Sequence, residues 1–208
     1  MAFISYNSPM DDKELDPIVD FLYEAGMLAK TPRSGFFFLG SGDQSVAEHL
    51  NRVVYIGFTL AQMAGDVDIS KVIQMCMFHD FAEARVSDLN YVHQKYTERF
   101  EDKAVADLTS RLPFGAKIKD LIEEYEKRET KESKMAKDAD NLEWILALKE
   151  QKDIGNERAN DWIPSAAARL KTDEAKKLVA KIIVTDSDRW WFSDKDDQWW
   201  VNRGKGGN

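Results

Sequence analysis

The chain has 208 residues, 43% hydrophobic and 32% charged, a balance that excludes the disordered and fibrous classes and suits one globular domain. Folding a chain of this length removes roughly 70% of the unfolded surface from water, enough for a hydrophobic core without covalent staples. The formal charge of −8 excludes polymeric nucleic acid, which requires a basic face, but not a small phosphorylated ligand held by a local arginine and a metal ion. The single cysteine, Cys76, excludes an intramolecular disulfide and any Cys-rich zinc module. Within Met75-Cys76-Met77-Phe78 it reads as a small buried hydrophobe. No stretch approaches the roughly 18 apolar residues of a membrane span. Met1-Ala2-Phe3-Ile4-Ser5-Tyr6 lacks the basic and apolar regions of a signal peptide, so a reduced, cytoplasmic protein without a membrane partner is expected.

In chain order the periodicity is helical almost everywhere, with no convincing alternation of a strand. Asp16-Pro17 reads as a cap followed by proline at the first helical position, and Ile18, Phe21, Leu22 and Ala25 form one apolar stripe. That helix should end near Lys30, because Pro32 disfavours helical geometry at Thr31. A loop with three glycines and three adjacent aromatics follows, from Arg33 to Gly42. Ser45-Val46-Ala47-Glu48 is a capping box, opening a helix with Leu50, Val53, Val54, Gly57 and Leu60 inward. Ser70 is expected to cap a third helix with Val72, Ile73, Cys76 and Met77 inward. Further stripes are Phe100/Ala104/Leu108/Leu112, Ile118/Leu121/Ile122/Tyr125 and Met135/Ala139/Leu142/Ile145/Leu148. Two more helices are predicted over about 157–171 and 173–184, the second capped by Thr172. Residues 1–185 thus read as one all-α domain. Residues 186–208 form a Trp-rich tail with Trp190-Trp191 and Trp199-Trp200, whose last residues are expected to be disordered. The tail aromatics are expected to dock on the body or a partner subunit.

With only three histidines, their placement carries information. His49 lies in the first turn of the capped helix. His79 precedes Asp80 directly near the end of the third. Glu83, four residues after His79, should share its helical face, and Asp80 should project about a quarter-turn away, so His79 and Asp80 can approach one ion from adjacent directions. Asp88 follows in the next loop, and Asp140 interrupts an apolar face.

The ordered set His49, His79-Asp80, Glu83, Asp88, Asp140 resembles the HD-domain phosphohydrolase superfamily, whose signature is H…HD…D. Pro32-Arg33-Ser34-Gly35-Phe36, Gln44 to His49, Phe78 to Ala84, Ser87-Asp88-Leu89 and Lys137 to Glu143 are similar to the words of its 5′-deoxynucleotidase branch, over roughly residues 16–150. The motif core spans about 33–150. By that resemblance the fold is a single-domain HD helical bundle. His49, His79, Asp80 and Asp140 would ligate one divalent metal. Glu83 would orient or deprotonate the attacking water, Asp88 would protonate the leaving group, and Arg33 would bind the phosphate. Phe36 stands where the family often has a tryptophan that packs near the sugar, and Ser87 where it commonly has glycine; a homodimer is the family-level expectation.

The donor set fits those roles chemically. Two imidazoles and two carboxylates, with no thiolate, suit Mn²⁺, Co²⁺, Fe²⁺, Ni²⁺ or Zn²⁺ without choosing among them. Helical phase puts Asp140 within about 40° of the Ala139-Leu142-Ile145 direction and leaves Asp138 further towards solvent. His93 is expected on the surface, and Lys95 is a second candidate for phosphate contact. The expected activity is metal-dependent hydrolysis of deoxynucleoside 5′-monophosphates. The alternatives are hydrolysis of another nucleotide phosphate (a triphosphate, a cyclic nucleotide or an alarmone), or a non-catalytic metal-binding helical dimer.

Overall fold

Amphipathic stripes at helical spacing can bury their apolar faces only against one another, and the computed structural model, which describes residues 12–194, 196, 197 and 199, is built that way. Its helices are α1 (Asp12–Ala25), α2 (Phe36–Leu39), α3 (Val46–Ala64), α4 (Ile69–Phe78), α5 (Glu83–Val86) and α6 (Tyr91–Tyr96). They continue as α7 (Glu101–Thr109), α8 (Gly115–Lys127), α9 (Lys131–Asp153), α10 (Glu157–Ala167), α11 (Asp173–Ile183) and α12 (Arg189–Phe192). Among the described residues there is no β-strand; a single isolated bridge pairs Pro32 with Ser45. No helix among them is long and apolar enough to cross a membrane.

α9 is the axis of the fold. Met135, Ala139, Leu142, Ile145 and Leu148 are all fully buried, packed among α3, α4, α10 and α11. A second apolar cluster joins Leu28, Val46, Leu50 and Phe81 to α7 and α8. His49 lies on α3 where the two clusters meet, since Val46 and Leu50 belong to one and Val53 to the other. α3 and α4 approach closely because position 57 is glycine: a Cβ there would sit 2.5 Å from Cys76 Sγ. Cys76 is fully buried as expected, and burial pushes its thiol up, so it behaves as a small hydrophobe.

Several local expectations need correction. α1 begins at Asp12, a turn before the Asp16-Pro17 pair, and holds Pro17 inside it. The carbonyl that Pro17 leaves unpaired belongs to Lys13, which is exposed, so water can serve it. A 3₁₀ turn, Gly26–Lys30, then carries the chain to the predicted end. The cap of α4 is Asp68, whose carboxylate accepts from Lys71 N, rather than Ser70. The aromatic loop contains the single turn α2, closed by left-handed Gly40 donating to Phe36 O. Leu22, Met77 and Phe100 face outward, and Met75 takes the buried place expected for Met77. Helical phase fixes a direction about one axis, but not how far the neighbouring helix reaches. The capping box at Ser45/Glu48 and the Thr172 cap of α11 form as read. Trp190 is 86% exposed, while Trp200 and residues 204–208 lie outside the described residues.

The α3/α4 contact sets the spacing of the histidine pair and gives a direct test. Gly57→Val should overpack this contact, lowering stability by about 1–3 kcal/mol. For a chain of this size that is about 2–4 °C of Tm per kcal/mol, readable by calorimetry.

Candidate metal and phosphate site

The site starts from a break in a helix. α4 stops at Phe78, and residues 79–82 tighten into i→i+3 bonds, Phe81 N to Phe78 O and Glu83 N to Asp80 O, both 3.0 Å. The continuous helix expected through Glu83 is therefore a turn followed by α5, which begins at Glu83. His79, Asp80 and Glu83 still face one centre.

His49 is fully buried and His79 nearly so. Each ring is oriented through Nδ1: His49 by Glu143 Oε2 at 2.6 Å, His79 by Cys76 O at 3.1 Å. Their Nε2 atoms are buried without a hydrogen-bond partner. His49 Nε2 lies 3.3 Å from Asp140 Oδ1 and 3.5 Å from Asp80 Oδ2, and His79 Nε2 lies 3.4 Å from Asp80 Oδ2. Ligand atoms of His49, His79 and Asp140 all lie within 4.8 Å of one another. Two orphaned imidazole nitrogens facing carboxylate oxygens at such distances fit a shared divalent metal, whose capture would satisfy both.

Asp140, Glu83, Asp88 and Arg33 complete the arrangement. Asp140 Oδ2 accepts from Lys137 Nζ at 2.7 Å and Tyr125 OH at 3.1 Å, which leaves Oδ1 for the centre. Against the penalty of burial, Lys137 and the two histidines hold the Asp140 carboxyl well below the ordinary range. Glu83 is buried with Oε2 unpartnered; burial first, then the charges of Asp80 and Asp88, push its carboxyl up to about 10. Asp88 accepts from Ser34 N at 2.9 Å, and Arg33 reaches Asp80 at 3.4 Å and Asp88 at 3.8 Å. Ser87, before Asp88, holds φ 65° and ψ 159°, a region nearly restricted to glycine. Backbone bonds from Arg33 N to Gln44 O and Val46 N to Thr31 O fix the Arg33 loop on the start of α3.

Arg33, His79, Asp80, Glu83, Asp88 and Asp140 lie on the wall of one open cleft of about 1180 Å³. Phe36 does not line it; its ring is buried, edge-on to Trp144 with centroids 5.3 Å apart. Lys95 is exposed on α6, whose Tyr91 and Gln94 line the cleft while Lys95 does not. His93 is exposed as expected, beside Asn90. Asp138 is 1% exposed, not turned to solvent. It holds the residue that caps α11, accepting from Lys171 N, Thr172 N and Thr172 Oγ1 at 2.6–3.0 Å.

Sequence reasoning missed Glu143. It is fully buried and accepts from His49, from Arg52 Nε and Nη2 at 3.0 and 2.7 Å, and from Gln44 Nε2 at 2.7 Å. Against desolvation, His49 and Arg52 hold its carboxyl down at about 2. Its signal was an acid between Leu142 and Ile145, three residues after Asp140 on one helical face.

Glu143→Gln should keep the helix but weaken the hold on His49. Metal affinity is expected to fall about 10–100-fold, as for other carboxylates that orient metal-binding histidines, and chelator competition measures it. Ser87→Gly should relieve backbone strain and raise stability by about 1 kcal/mol, readable as a higher denaturation midpoint.

Comparison with known proteins agrees with this geometry. A family model described as HD domain matches residues 25–182. The 5′-deoxynucleotidase HDDC2 of Danio rerio is 28% identical over 146 residues, covering 67% of this chain and 72% of the relative. The protein of the same name in Dictyostelium discoideum is 31% identical over 141 residues, covering 62% and 74%. A crystal structure described as a predicted metal-dependent phosphohydrolase from Magnetospirillum magnetotacticum is 25% identical, with a TM-score of 0.67, over 83% of this chain and 94% of that one. The buried histidine pair, its facing carboxylates and these likenesses together place the chain in the HD-domain family, on its 5′-deoxynucleotidase-like branch, as a metal-dependent phosphohydrolase.

Proposed function

We propose that this protein hydrolyses deoxynucleoside 5′-monophosphates to deoxynucleoside and inorganic phosphate. The observation that carries the reading is the convergence of two unpartnered imidazole nitrogens, their facing carboxylates and Arg33 on one cleft. The names of the deoxynucleotidase relatives supply the substrate class.

In this reading His49, His79, Asp80 and Asp140 hold one divalent transition-metal ion per chain. When bound, the ion supplies a water of lowered pKa and polarises a phosphoryl oxygen. Arg33 binds the phosphate through charge-assisted hydrogen bonds and orients phosphorus towards the water. Glu83, whose buried Oε2 has no partner, would be ionised once a cation's charge is present beside it, and then orients the water and accepts the proton released as the water oxygen bonds to phosphorus. The bond from phosphorus to O5′ breaks, and Asp88, which takes up a proton from solvent in the open cleft once the phosphate dianion is bound, delivers it to that oxygen. The backbone N–H of Ser34 and the Arg33 guanidinium hold Asp88 in place for this. A second reading, a nucleotide with more than one phosphate, draws on the size of the cleft and on Arg128, Lys134, Arg169 and Lys171 along its wall.

Phosphate release from metal-loaded protein, over mono-, di-, tri- and cyclic nucleotides in ribo and deoxy pairs, decides between these readings. Deoxynucleoside 5′-monophosphates should give the highest kcat/KM; a higher value for a di- or triphosphate would select the second, and a higher value for a cyclic substrate would overturn both. Glu83→Ala should keep metal content and substrate affinity while kcat falls by about 10²–10⁴-fold. Full turnover in that variant would remove Glu83 from the mechanism.

A further inference from the structure

Trp144 belongs to none of the groups that face the metal or phosphate, yet its half-buried indole lines the cleft. It lies one helical turn after Asp140 on α9, about 6 Å further along the axis. The far edge of the indole rests on the Arg33 loop: a Cβ on Gly35 would stand 3.1 Å from its Cη2. Phe36 meets the indole edge-on at 86°, and Trp162 lies 6.4 Å from it on α10. The ring is thus fixed from three sides, between the arginine that faces the phosphate and the helix that carries Asp140.

We infer that Trp144 is the surface on which the pentose of the nucleotide packs, and that it sets the preference for a 2′-deoxy sugar. This rests on the nucleotidase reading above. With the phosphate held at Arg33, the group joined to its ester oxygen within one helical turn is the pentose, whereas the base lies beyond it. The face of the indole offers a 2′-hydroxyl no hydrogen-bond partner, so a ribose packed on it loses water without compensation. A 2′-methylene loses nothing and gains contact area. The aromatic face of the site therefore comes from α9, and Phe36 acts on the sugar only by bracing Trp144.

The test uses product nucleosides, whose binding needs no turnover. Calorimetric titration of the metal-loaded protein with deoxyadenosine and adenosine should favour the deoxy form by about tenfold or more, up to about 10²-fold. Trp144→Ala should weaken deoxyadenosine binding by up to about tenfold and bring the deoxy/ribo ratio close to one. Metal content and inhibition by inorganic phosphate should not change. Trp144→Gln keeps side-chain bulk against Phe36 but offers the 2′-hydroxyl a partner, and should show the same loss of ratio if the alanine variant does not fold. An unmodified protein that does not discriminate, or a variant that keeps the ratio, overturns the inference. Discrimination by an unmodified protein that releases no phosphate overturns the nucleotidase reading and leaves the role of Trp144 supported.

Discussion

Two imidazoles lie buried with Nδ1 committed and Nε2 uncommitted, and much of the architecture serves to keep them so. A buried ring nitrogen without a partner is costly, which makes the pair a receptor for a cation rather than a passive part of the core. Holding both rings on one point requires α3 and α4 at close range, which Gly57 permits. It also requires a fixed acid behind His49, and Glu143 is fixed in turn by Arg52 and Gln44. Arg52 extends this chain to Glu150, so α3 and α9 are clamped by charge as well as by apolar contact.

α9 shows how one helix divides polar work by phase. Asp138 and Asp140 are two residues apart, about 200° around the axis. Asp140 therefore turns to the cleft, while Asp138 turns to the chain just before α11 and accepts from the N–H and the hydroxyl of Thr172, the residue that caps that helix. Glu143 and Trp144 lie about a turn further on and serve the histidine and the cleft wall. A central buried helix can carry this many polar groups because each meets a partner from a different neighbour.

The all-α fold and the convergence of His49, His79, Asp80 and Asp140 were legible because both are written in spacing. Stripes at 3.6-residue period mark the core faces, and the ordered H…HD…D words fall on two of those helices and on the turn that ends a third. What could not be read depends on partners distant in the chain. Glu143 meets His49 across 94 residues, and no local pattern names that pair. Phase arguments chose Asp140 over Asp138, but failed to see that the far side of α9 is covered by α11. They likewise placed Leu22 and Met77 inward, where no element among the described residues closes over them. The turn at His79–Ala82 was hidden because its residues are ordinary helix formers, and only the local i→i+3 bonding shows the break.

A chain of net charge −8 must still attract a phosphate, and the site explains how. Asp80, Asp88 and Asp140 bring three carboxylates to the cleft, with Glu83 disposed to hold a proton. Arg33 and Lys137 answer two of them at close range. Left there, the pole carries one negative charge and repels a phosphate dianion. A divalent cation on the imidazole pair reverses that sign to one positive charge, in a cleft whose low-dielectric walls strengthen the attraction. Metal capture and phosphate capture are therefore linked by electrostatics before any chemistry begins. Further along the wall Arg128, Lys134, Arg169 and Lys171 add positive charge, so an acidic chain still presents an anionic substrate with a favourable local field.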